Sequence, residues 1–109
     1  MHYISLCIKF NINSEKKQYH KLIAITKEQS KISEVQSDWD EIKNTEGIKW
    51  YDLDPRTIIK KIENFFIKYE VEDWSGIVSD LYRANSCSKV NIMETIEKSF
   101  IYSGKVTTL

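Results

Sequence analysis

Tyr3 to Ile12 alternates without a break between two kinds of side chain. Ile4, Leu6, Ile8, Phe10 and Ile12 point one way, and Tyr3, Ser5, Cys7, Lys9 and Asn11 the other. Successive side chains of an extended backbone project to opposite faces, so a period of two specifies a strand buried on one face. A strand also needs a partner for its N–H and C=O groups. Asn13-Ser14-Glu15-Lys16 reads as a turn, and Gln18 to Thr26 supplies a second strand. Pairing Phe10 with Tyr19, Leu6 with Ile23 and Ile4 with Ile25 collects apolar side chains on one face, with Lys21 opposite Ile8 as the misfit. A helix over residues 15–27 is the competing reading, because Tyr19, Leu22 and Ile23 also fit helical spacing. The backbone's need for a partner favours the hairpin. A hairpin alone is marginal in water, so helices must cover its apolar face.

The remaining chain supplies them. Ile32, Val35, Trp39 and Ile42 recur at three and four residues, which makes one helical face. Gly47 lies past its end. Asp54-Pro55 places a capping residue before a proline at the first helical position. Ile58, Ile59, Ile62, Phe65, Phe66 and Tyr69 form a wide stripe, and Trp74, Ile77, Val78, Leu81 and Tyr82 another. Asn91 with Glu94 resembles a capping box before Ile92, Met93, Ile96 and Phe100, and Gly104 is expected to stop that helix. Ile48 to Tyr51 reads as a connector or third strand, and Lys105 to Leu109 as a sheet-edge segment or a loose end. The expected fold class is α+β: an N-terminal β-hairpin or small antiparallel sheet packed against about four α-helices. The 109 residues suit a single domain spanning 1–109.

Several function classes lack their residues. Two cysteines, Cys7 and Cys87, do not make a disulfide framework, and both are expected as reduced thiols, in a strand and a loop respectively. No apolar run approaches the ~18 residues of a membrane span, and no basic-then-apolar leader opens the chain. A cytoplasmic protein without a membrane partner is therefore expected. His2 and His20 are not at metal-ligand spacing, and Asp52-x-Asp54 runs into Pro55 rather than a calcium loop. Three isolated glycines cannot cradle a phosphate. No cofactor, metal or catalytic set is expected, and the protein is read as not an enzyme. A small enzyme pairing Cys7 or Cys87 with His2 or His20 is kept as an alternative. The N-terminal lysines lack the clustered face of a specific nucleic-acid binder.

The net charge of zero conceals an uneven distribution. Residues 34–80 hold twelve acids against six bases, while the flanking segments are basic. Glu34, Asp38 and Glu41 share a helical stripe about 110° from the Trp39 face. Glu46 and Asp52 flank Trp50 and Tyr51, and Glu70, Glu72 and Asp73 crowd the junction before Trp74. A solvated acidic face is the ordinary explanation. The functional one is an anionic surface with aromatic anchors, complementary to a basic protein. Those ten residues are the candidate partner-binding site, with Trp39 and Trp74 assigned to the core. Ile67 falls opposite the Ile58/Ile62/Phe65 face and marks a second contact surface or a neighbouring subunit's helix, so a homo-oligomer, as a self-associating scaffold domain, is a further alternative.

Asp38-Trp39-Asp40-Glu41 and Trp50-Tyr51-Asp52, in a short Lys-, Ile- and Asn-rich chain without a catalytic constellation, resemble in general character the small immunity proteins of bacterial toxin systems, including contact-dependent growth inhibition. The resemblance implies a cytoplasmic inhibitor that binds a cognate protein toxin, often a nuclease, and covers its basic active-site cleft. An acidic surface would occupy the field that phosphates otherwise fill and would steer association.

Overall fold

The computed structural model describes residues 3–12, 16–44, 55–87 and 89–106. The chain runs β1 (Tyr3–Ile12), β2 (Lys17–Thr26), α1 (Gln29–Lys43), α2 (Pro55–Lys68), α3 (Ser75–Cys87), α4 (Lys89–Lys98) and β3 (Phe100–Val106). The strands form one antiparallel sheet in the order β2-β1-β3, with α3 and α4 packed against β1. This is the expected α+β class: an N-terminal hairpin in a small sheet with four helices.

The hairpin departs from simple alternation at one place. Phe10 pairs with Tyr19 as expected, but the register shifts between Leu6 and Cys7. Cys7 faces Leu22 and Leu6 faces Ala24, so Ile23 is an extra residue and Ile4 meets Thr26 rather than Ile25. A bulge inserts one residue and re-aims the side chains beyond it. Ile23 stays in the core at 5% exposure, while Ile25 turns to the outer face opposite Ser5 and is 39% exposed.

The third strand comes from the C-terminal segment read as helix. The Ser99 N–H bonds the Ile96 carbonyl and closes α4. Phe100, Ile101 and Tyr102, all strand formers, then pair with Lys9, Ile8 and Cys7. Phe100 is therefore outside the helix. Gly104 lies within β3 opposite Ser5, where a Cβ would stand 3.2 Å from Ser5 Oγ, and is no helix stop. Pairing on both sides satisfies the backbone of β1 and makes it the central strand.

Other boundaries shift for local reasons. α4 begins at Lys89, so Asn91 lies inside the helix rather than at its N-cap position. Its supposed partner Glu94 instead pairs with Lys98 one turn on, at 2.7 Å. Cys87 ends α3 rather than lying in a loop, and Cys7 is a free thiol in β1. Tyr82 is exposed because it lies about 130° from the centre of the Ile77/Leu81/Ala84 stripe. Gly47, Asp54 and the 48–51 segment lie outside the described residues.

The core joins the inner face of β1 to the helices. Leu6, Ile8, Phe10 and Ile12 are fully buried, as are Ile59, Ile62 and Phe66 of α2. Phe10 meets Trp39 edge-on at 5.4 Å and Phe66 at 5.8 Å, and Phe66 stacks on Trp74 at 6.0 Å. Trp39 Nε1 donates to the Ser99 carbonyl at 3.3 Å, tying α1 to the start of β3. Each such buried side chain contributes about 1.5–3 kcal/mol.

Candidate functional site

The three acids on α1 do not form a free anionic stripe. α2 packs alongside and brings Lys68, in its last turn, over the stripe. Lys68 Nζ lies 2.6 Å from Asp38 Oδ2 and 3.3 Å from Glu34 Oε1. Lys31 approaches Glu34 at 3.8 Å, and the Tyr69 hydroxyl donates to Asp38. The bonds from Lys68 and then Tyr69 hold the Asp38 carboxyl below its ordinary range. Burial, aided by Asp38, pushes the Tyr69 hydroxyl well above its own. The ammonium groups of Lys31 and Lys68 also lie 4.9 Å and 5.4 Å from the Tyr69 ring centre. Glu34 and Asp38 are thus engaged in docking α1 to α2. Glu41 is exposed and meets no cation among the described residues. It lines a cleft of about 270 Å³ with Ile42, Lys61 and Asn64.

A second carboxylate escaped the sequence reading. Asp80 is 1% exposed and accepts from the Tyr19 hydroxyl at 2.5 Å, with Lys17 at 3.4 Å and Arg83 bonded to its other oxygen. Burial alone would raise its pKa, but these donors outweigh it and hold the carboxyl below the ordinary range. Its signal was positional. Asp80 flanks the Ile77/Leu81/Ala84 stripe, so α3 carries it inward to the foot of β2.

Glu70, Glu72 and Asp73 are presented differently. α2 ends in a left-handed turn: the Val71 N–H bonds the Phe66 carbonyl and the Glu70 N–H that of Ile67, with Glu70 at φ 53°. Asp73 is also left-handed, at φ 51°. A side chain in that region costs roughly 1 kcal/mol relative to glycine. Tyr69 and Val71 are buried and Trp74 packs against the core, so the connector is pinned from inside. Its three acids are exposed, and none has an ion-pair partner among the described residues. They form one wall of a groove of about 360 Å³ whose other wall is His20 to Ala24 of β2.

The candidate residues therefore fall into separate places. Glu34 and Asp38 lie in the α1–α2 seam, Glu41 in the cleft beside it, and Glu70, Glu72 and Asp73 on the connector facing β2. Glu46, Trp50, Tyr51 and Asp52 lie outside the described residues.

On the outer face of the sheet, Cys7, His20 and Tyr102 are neighbours. His20 Nδ1 is 3.1 Å from the Tyr102 hydroxyl, whose pKa is raised by burial and then by the Cys7 thiol beside it. No hydrogen bond joins thiol to imidazole among the described residues. Nor do the described residues gather three metal-ligating side chains, and none of their helices is long and apolar enough to cross a membrane.

The described residues thus form an α+β fold with a groove between an edge strand and an acidic connector. No protein-family model, curated protein or solved structure matches this chain.

Proposed function

We propose that the protein is a binding protein of the toxin-immunity kind, which neutralises a basic protein partner with carboxylates held on a rigid connector. The observation that supports this reading is the set Glu70, Glu72 and Asp73: exposed, without ion pairs among the described residues, and fixed by buried neighbours on either side. Such preorganised charges steer encounter and lose little freedom on binding. The α1 carboxylates Glu34 and Asp38 contribute to folding rather than to contact in this reading.

The test is affinity for the protein encoded by the adjacent upstream reading frame, measured calorimetrically at low and physiological ionic strength. The triple variant Glu70→Gln, Glu72→Gln, Asp73→Asn is expected to weaken binding at least tenfold at low salt and to flatten its salt dependence, by the order of about 0.5–1 kcal/mol per exposed charge. Wild-type affinity in that variant removes the reading. A second reading, self-association, draws on Leu22, Ile25 and Phe100, which are exposed together on the outer face of the sheet. A concentration-independent monomer by light scattering excludes it.

A further inference from the structure

The groove beside β2 has a continuous run of that strand as one wall. Five consecutive residues, His20 to Ala24, line it, which places the strand's edge, and not only alternate side chains, in the groove. β2 is an edge strand: it pairs with β1 on one side and with no other strand among the described residues. No backbone hydrogen bond runs from residues 70–73 to β2 among the described residues. An antiparallel edge presents the N–H and C=O groups of alternate residues outward, and another extended backbone complements that row. The opposite wall selects which one. Glu70, Glu72 and Asp73 set three carboxylates against one ammonium, Lys21, and the imidazole of His20.

We propose that β2 accepts an extended, arginine- or lysine-bearing segment of a protein partner as a fourth strand, with its main chain bonded to residues 20–24 and its basic side chains reaching the connector acids. This rests on the basic-partner reading above and adds the mode of recognition. Main-chain pairing would supply affinity, and the acidic wall the selectivity. Five residues at about 3.4 Å each span about 17 Å, enough for a five- or six-residue segment. The bulge at Ile23 twists the edge within this stretch, which keeps the added strand short.

The test titrates the isotopically labelled full chain with a hexapeptide alternating arginine and threonine, monitored by amide chemical shifts. Shifts confined to residues 20–24 and 70–73 are expected. Methylating alternate peptide nitrogens, which removes main-chain donors and leaves every charge, should weaken binding at least about tenfold. The matching glutamate–threonine peptide should leave the spectrum unchanged. Equal binding of the methylated peptide, shifts elsewhere, absence of binding, or concentration-dependent shifts at 20–24 without peptide would each overturn strand addition. The two proposals fail separately. Salt-sensitive binding of the upstream-encoded protein, without strand addition, leaves the inhibitor reading standing. Strand addition with wild-type affinity in the triple variant retains the edge site and removes that reading's acids.

Discussion

Replacing Asp80 with asparagine isolates the link between α3 and the foot of β2. The change keeps size and one carbonyl acceptor but removes the charge. Tyr19 loses a charged acceptor at 2.5 Å, a difference of about 1 kcal/mol. Lys17 and Arg83 are 48% and 61% exposed, so each attraction is discounted to about 0.5 kcal/mol. The sum, about 2 kcal/mol, corresponds to about 10 °C in Tm for a domain of this size. The measurement is denaturant unfolding of both proteins from neutral to acid pH. The folded-state pKa of Asp80 is depressed, so its stabilisation is present above the unfolded value of about 3.9 and is lost as pH falls through the folded one. Asparagine does not titrate, so the gap should be full above about pH 5 and shrink below about pH 4. A gap under about 0.5 kcal/mol at neutral pH, or one that stays constant into acid, refutes the argument.

The bulge predicts unequal roles for two residues that simple alternation treats alike: Ile23→Ala should cost about 3 kcal/mol and Ile25→Ala under about 1 kcal/mol in denaturant unfolding. Similar costs would place both side chains inward and contradict the register. Tyr69→Phe should cost about 1 kcal/mol at neutral pH by removing the bond to Asp38. Because the folded-state pKa of Tyr69 is raised, the unfolded chain ionises first, so the wild-type advantage should decline above about pH 10, as read by unfolding at alkaline pH.

Much of this fold was legible because its signals are local. The alternation of Tyr3 to Ile12, the stripe from Ile58 to Tyr69 and the Pro55 helix start each involve a few neighbouring residues, and all three appear in place. Phe100 misled because it extends the helical spacing of Ile92 and Ile96. The need of β1 for a second neighbour, about a hundred residues away, outweighed that spacing. The candidate site was less legible still. Helical spacing correctly put Glu34, Asp38 and Glu41 on one stripe, but Lys68 neutralises two of them from another helix. The spacing put Asp80 beside the apolar stripe of α3, but the donors it meets from β2 are about sixty residues away in the chain.

The sequence by itself determined that Tyr3 to Ile12 is extended, that Ile58 to Tyr69 is helical and which face of each is apolar, because periodicity is a property of neighbouring residues. Only the tertiary structure decided which carboxylates meet cations among the described residues, where the bulge turns Ile25 outward, and that the connector acids face the edge of β2. Those outcomes depend on distances between residues far apart in the chain, and packing sets them.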